Sequence, residues 1–303
     1  MALFKEKHRG CPSLKHFLME HLKNGTLTTD VFLLVCCLPQ LTSRSKQMKQ
    51  YFNIFLKAGV NLRGTDAHGR NALFYAAESS KPVLLRALLE QGLDPMAKDD
   101  SGEIPLSVAV RYGNLSAAEY LLEKTENPAS VVDNTGATLL HKAAQGDVPD
   151  IARRLIDVYH ISPEVRDNAG RTAVHVAAYK GSCKMLKYLL QEKAADVNAI
   201  DNDGRTPLFS GTHGFDLHAL KILCKQGADL SVKDKSGLTA WEFALGENRF
   251  DEAKFLVGKS QMSRRQISEV ILECEKKRSL LMQEYIREIA KISRNSASDL
   301  PLP

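Results

Sequence analysis

Apolar residues along this chain fall into paired clusters, and the pair returns every 33 or 34 residues. The first cluster reads NALFYAA, IPLSVAV, TLLHKAA, TAVHVAA, TPLFSGT or TAWEFAL in successive units. The second, about ten residues further on, reads VLLRALLEQG, AAEYLLEK, IARRLIDVY, MLKYLLQEK, ALKILCKQG or EAKFLVGKS. Apolar positions three and four apart predict short helices that each bury one face. In four units a threonine opens the first cluster, and Thr138, Thr172, Thr206 and Thr239 fit as N-caps, with proline the fitting first helical residue. Second helices close on Gly, Lys or another stop signal.

Between the helical pairs, glycines recur at 69, 102, 136, 170, 204 and 237, at intervals of 33, 34, 34, 34 and 33. Each has an aspartate three residues before it, at 66, 99, 133, 167, 201 and 234. Asp can bond its own backbone in a tight turn and Gly can take positive φ there. Each unit is therefore predicted as turn, helix, turn, helix.

These residues resemble the ankyrin repeat, whose pattern has Asp and Gly in the turn, T-P-L-H-x-A-A on the first helix and L-L-x-x-G-A-D at the end of the second. DNDGRTPL with CKQGADLSVKD, and LLQEKAADVNAID, carry the likeness most closely. The resemblance implies an all-α solenoid of stacked helix-turn-helix units with β-turn or hairpin tips, followed by a long C-terminal helix. The repeats are expected over 66–260, as 66–98, 99–132, 133–166, 167–200, 201–233 and 234–260. Residues 1–65 read as a helical N-terminal segment with a degenerate capping repeat ending in LKAGVN, as a terminal unit with one bare flank needs. Residues 261–294 read as a C-terminal helix, with Ile267, Val270, Ile271, Cys274, Leu281, Tyr285, Ile289 and Ile292 near a 3.6 period, either capping the last repeat or offered to a partner. Residues 295–303 read as a disordered tail.

With 44% hydrophobic and 25% charged residues, the 303-residue chain has ordinary globular composition and can bury a core. The start MALFKEKHRGC is charged throughout and VFLLVCCLP is too short to span a bilayer, so the expectation is a chain without signal or transmembrane segment, soluble and cytoplasmic. Six cysteines without C-x-x-C pairs or regular spacing suggest buried thiols and not a zinc site or a disulfide framework. Residues 1–65 hold ten Lys/Arg against three Asp/Glu, a balance of +7, and 261–303 hold eight against six. The remaining stretch is left at 23 against 27. A basic N-terminal segment suits an acidic partner or membrane surface, or is a solubilising face.

His141 and His175 occupy the same place in adjacent units. The resemblance implies that such a histidine bonds turn backbone and braces neighbouring repeats, and two imidazoles on neighbouring helices lie too far apart to share a zinc ion. No H-E-x-x-H, G-x-S-x-G or dinucleotide glycine pattern is present, and FLVGKS lacks the first glycine of a phosphate loop, with Ala253 in its place. A Cys183 thiol served by His175 lacks an oxyanion element. Catalytic residues, cofactor and metal are therefore expected to be absent.

Function is then expected on the surface that stacking creates, a concave groove of turn tips and first-helix ends. Among the residues there that depart from the repeat, Arg70, Arg111, Tyr112, Arg171, Tyr179, Lys180, Arg205 and His213 make the central units aromatic and basic. Tyr and Arg anchor protein interfaces. The implied ligand is a protein segment that is acidic and partly apolar, bound by a non-enzymatic adaptor or scaffold that takes no small-molecule substrate. A solvated face is the alternative, with binding on the convex side or the termini. Nucleic acid is disfavoured because the repeats lack overall positive charge. Two further readings stay open. One is a substrate receptor of a ubiquitin ligase, since LPLP at 300–303 resembles the L-P-x-P of SOCS-box proteins, although Leu33, Cys37 and Leu41 lie at the wrong end and flank Pro39. The other is a bacterial effector acting on a host protein. A monomer is expected, with the C-terminal helix a route to association.

Overall fold

Aspartate builds the turn that opens each repeat. The computed structural model describes residues 53–79, 82–214 and 217–260, with single positions at 19, 23, 24, 28 and 32 and at 265, 266, 268–272, 275–278 and 280. Oδ1 of Asp66 accepts the backbone N–H groups of His68 and Arg70. Asp99 takes those of Ser101 and Glu103 in the same way, Asp133 those of Thr135 and Ala137, Asp201 those of Asp203 and Arg205, and Asp234 those of Ser236 and Leu238. A side chain that closes the loop on itself needs no partner strand. Among the described residues only isolated bridges form, at Val132–Thr138 and Lys233–Thr239.

The turn glycines have two reasons to be glycine. All six lie at φ between +74° and +78°, where a Cβ is strained. A Cβ on Gly102, Gly136 or Gly170 would also collide with Asn134, Asn168 or Asn202 of the following turn. That close approach is the stacking contact itself: Asn134 N–H donates to Ser101 O at 3.0 Å, Asn168 to Thr135 O at 2.9 Å and Asn202 to Ala169 O at 2.9 Å.

The chain divides into two compact units, Met1–Asn168 and Ala169–Pro303. In unit 1 the helical pairs are α1 (Ala72–Glu78) with α2 (Pro82–Glu90), α3 (Pro105–Arg111) with α4 (Leu115–Leu122), and α5 (Leu139–Gly146) with α6 (Pro149–Asp157). In unit 2 they are α7 (Ala173–Lys180) with α8 (Cys183–Lys187), α9 (Pro207–Thr212) with α10 (Leu217–Lys225), and α11 (Ala240–Gly246) with α12 (Phe250–Lys259). First helices pack on first helices, α1 on α3 and α3 on α5 in one unit, α7 on α9 and α9 on α11 in the other. The small pairs Ala76–Ala77, Ala143–Ala144 and Ala177–Ala178, all fully buried, let these short helices approach closely. Leucines such as Leu84, Leu85, Leu88, Leu121 and Leu122 of the second helices in unit 1, or Leu186, Leu220, Leu223 and Leu256 in unit 2, fill the layer between. Each buried leucine contributes roughly 1.5–3 kcal/mol.

Where a repeat has 33 residues, the second helix ends on a glycine with positive φ, Gly92 or Gly227. The 167–200 repeat has one residue more, and α8 absorbs it by running into a π turn at Tyr188–Glu192 before Ala194 takes φ +51°. In the 133–166 repeat His160 does the same at φ +53°.

At the C-terminal end, the described positions between 265 and 280 are helical. Lys254 pairs with Glu275 and Asp251 with Arg278, each at 3.0 Å, so this helix runs antiparallel to α12. Val270 packs on Ala244, Phe250 and Ala253. At the other end Phe32 and Phe55, both 1% exposed, meet edge to face with centroids 5.0 Å apart. The expected tail, 295–303, and most of the expected N-terminal segment lie outside the described residues.

Candidate protein-binding face

Both conspicuous histidines are buried in the repeat itself. His175 Nδ1 accepts the N–H of its own N-cap, Thr172, at 3.2 Å, and its Nε2 donates to the Arg205 carbonyl of the next turn at 3.0 Å. That pattern is the neutral tautomer with the hydrogen on Nε2. Both ring nitrogens are thereby engaged, which leaves none to serve the Cys183 thiol. His141 Nδ1 makes the same bond to Thr138 N–H at 3.2 Å. In the last repeat Glu242 Oε2 takes the place of the imidazole, accepting from Thr239 N–H at 2.8 Å. Among the described residues no group of three or more His, Cys, Asp or Glu side chains could hold a metal ion.

The remaining first-helix positions differ sharply between the units. In unit 1, Lys142 of α5 is 5% exposed and reaches both Glu103 Oε1 and Asp133 Oδ2 at 2.5 Å, while Arg111 of α3 donates to the same Glu103 oxygen at 2.9 Å. Glu103 Oε2 is buried and finds no hydrogen-bond partner among the described residues. Burial alone would raise the Asp133 carboxyl, but hydrogen bonds from Lys142 and Thr135 and the Lys142 charge outweigh it and hold its pKa below the ordinary value. Tyr112, the C-cap of α3, stands 54% exposed beside this network with the Arg111 guanidinium 5.6 Å from its ring centre. Arg70 sits apart from them and turns its Nε to Asp99 of the next turn at 3.4 Å.

In unit 2 aromatic rings stand at three such positions, Tyr179 and His213 matching Arg111 and Phe243 matching Lys142. Tyr179 of α7, 51% exposed, lies 5.8 Å from the His213 ring, and His213, the C-cap of α9, meets Phe243 of α11 edge-on at 5.3 Å. Lys180 places its ammonium 5.3 Å from the Tyr179 ring centre. Arg205 stacks 4.5 Å above Phe243 and pairs through Nε with Asp234 at 3.3 Å. Arg171 is exposed at the first turn of this unit. Burial lowers the His213 pKa, with the Arg249 and Arg205 charges adding to it and Glu247 opposing.

Of the eight expected residues, unit 2 thus brings Tyr179, Lys180, Arg205 and His213 into one cluster, and unit 1 pairs Arg111 with Tyr112. Arg70 and Arg205 hold the turn aspartate of the following repeat. Lys142 and Phe243 were missed in sequence, although both stand at the fourth residue after their threonine. Read down the repeats, that column is Tyr75, Val108, Lys142, Val176, Ser210 and Phe243.

The family described as Ankyrin repeats (3 copies) matches residues 41–132 and 125–201, together more than half of the chain. The chain belongs to the ankyrin-repeat family. Beyond residue 201 the ankyrin turn continues with the same hydrogen bonds at Asp201 and Asp234. Similar stretches occur in mouse Rabankyrin-5, 29% identical over 112 residues, and in the E3 ubiquitin-protein ligase KEG of Arabidopsis thaliana, 31% identical over 113 residues; each covers 37% of this chain. The rabbit (Oryctolagus cuniculus) transient receptor potential cation channel subfamily V member 1 is 29% identical over 125 residues, 35% of this chain. These matches span 10%, 7% and 15% of the respective relatives' length. The ankyrin repeats make this chain a carrier of a protein–protein interaction module. Among the described residues no helix is long and apolar enough to cross a membrane.

Proposed function

We propose that this ankyrin protein is a non-enzymatic, intracellular adaptor that binds a protein segment, acidic and partly apolar, on its first-helix ends. The observation that carries the reading is an arrangement found within each unit: a half-exposed tyrosine, Tyr112 in unit 1 and Tyr179 in unit 2, with a cation against its ring. A large aromatic held by a neighbouring cation is already ordered before a partner arrives, and Tyr loses little conformational freedom on binding. Apolar side chains of the ligand would sit on Tyr179 and His213, and its carboxylates would meet Lys180 and Arg171. Arg205 supports this face from beneath, since Asp234 and Phe243 already occupy its guanidinium.

The test is affinity capture with the full chain against the double variant Tyr112→Ala/Tyr179→Ala. Both side chains are half exposed, so the melting temperature should stay within a few degrees while capture of the partner falls about tenfold or more. Undiminished capture by a folded double variant would move the binding face elsewhere.

A further inference from the structure

The second helices of unit 2 carry a feature that the first-helix face does not use. Lys187 of α8, Lys221 of α10 and Lys254 of α12 are each the fifth residue of their helix, so they stand at one repeat position on three consecutive helices. α8 packs on α10 and α10 on α12, which sets these positions side by side. Lys184 and Lys225 extend the row, and Lys184, Lys187, Lys221 and Lys225 are all exposed. Neither CKMLK of α8 nor LHALKILCK of α10 contains an acidic residue, and none of these four lysines makes an ion pair among the described residues. The same fifth position in unit 1 alternates in sign, as Arg86, Glu119 and Arg153, and Glu119 there is paired with Arg154 at 2.6 Å. Unit 2 therefore departs from a mixed pattern to a single sign.

The chain itself shows which chemistry satisfies this row. Lys254 is bound by Glu275, a carboxylate carried on the helix that lies along α12, at 3.0 Å. Among the described residues, Lys187 and Lys221 repeat that position without a carboxylate paired to them. α8, α10 and α12 carry no exposed large apolar side chain among the described residues. The row thus offers no wedge for a bilayer and no exposed ring on which a base could stack.

We propose that the lysine row of α8 and α10 is a second docking surface, for a glutamate- and aspartate-rich protein segment, separate from the first-helix face. Exposed lysines act as point charges, so recognition is electrostatic and salt-sensitive, and it favours several carboxylates in series over any one of them.

The probe is a fluorescein-labelled peptide of repeated Glu-Glu-Ala-Ala units, titrated with the full chain and followed by anisotropy. Binding should weaken about tenfold as salt rises from about 50 to about 300 mM. The variant Lys184→Glu/Lys187→Glu/Lys221→Glu/Lys225→Glu should lose it at unchanged helicity, while Lys57→Glu/Lys98→Glu in unit 1 should leave it intact. Retained binding by the fourfold variant, or equal loss in the unit 1 control, would overturn the proposal. So would lysine-dependent binding of phosphatidylserine vesicles or single-stranded oligodeoxythymidine that exceeds that of the peptide. Tyr179→Ala separates the two surfaces: the peptide should still bind, and its loss there would place the peptide on the first-helix face instead.

Discussion

The two units use one backbone scheme and fill its open positions in opposite ways. Both close their turns on an aspartate Oδ1, pass through a positive-φ glycine and start a helix on a capped residue. At the fourth residue after the cap, unit 1 has Lys142 in a buried ionic network and unit 2 has Phe243 in an aromatic one. Three residues further on, Arg111 is tied down to Glu103 while Tyr179 and His213 lie ring against ring. The repeat thus prescribes the frame and leaves the face free. Ions on that face tie one repeat to the next, and rings stack with one another and leave Tyr179 half exposed.

The contrast breaks most visibly at its two centres. Lys142→Met should destabilise the chain by about 3–5 kcal/mol in urea unfolding, because Glu103 and Asp133 are left buried with their charge uncompensated. Adding Glu103→Leu should recover part of that loss, since removing both members of a buried pair costs less than stranding one. Phe243→Leu, an apolar swap at the matching position, should cost only about 1 kcal/mol.

Acid should separate the units as well. Asp133 has a folded pKa below its ordinary value of 3.8, so its contribution is complete above that pH and disappears as pH falls through the lowered folded value. His213 is also lowered, from 6.5, so the unfolded chain takes up this proton first and stability declines as pH drops from 6.5 toward the folded value. Thermal melts between pH 7.5 and 5 should therefore fall less for His213→Gln than for the parent chain, whereas the gap between Lys142→Met and the parent should narrow as acid protonates the stranded Asp133 carboxyl, since burial then acts on it without the Lys142 charge. An identical slope for His213→Gln and parent would remove the histidine from this account.

The smallest expected effect lies where the units handle their extra residue. Ala194 at φ +51° stands where Gly92 and Gly227 end other second helices, and Ala194→Gly should stabilise unit 2 by about 0.5–1 kcal/mol, read as a rise in melting temperature.

Much of this frame was legible because its causes are local. Asp, Gly and Thr act on amides two to four residues away, and a 33- or 34-residue interval repeats the message until it is unmistakable. Even the histidine's bond to the following turn came with the family pattern. The ionic network was not legible, because Glu103 reads as a turn tip and Lys142 as a variable helix position until stacking sets one repeat against the next. The same holds for Arg70 and Arg205, which in sequence are exposed cations and in the fold also clamp Asp99 and Asp234. The π turn of α8 was hidden for another reason: one inserted residue has several places to go, and only packing selects among them.

The most direct test of the central claim is amide hydrogen exchange on the full chain with and without its captured partner. The account predicts slower exchange at the ends of the first helices, around residues 110–113, 178–181 and 211–214, with the second helices unchanged. Protection confined to the second helices or to the terminal segments, with those stretches exchanging as before, would contradict it.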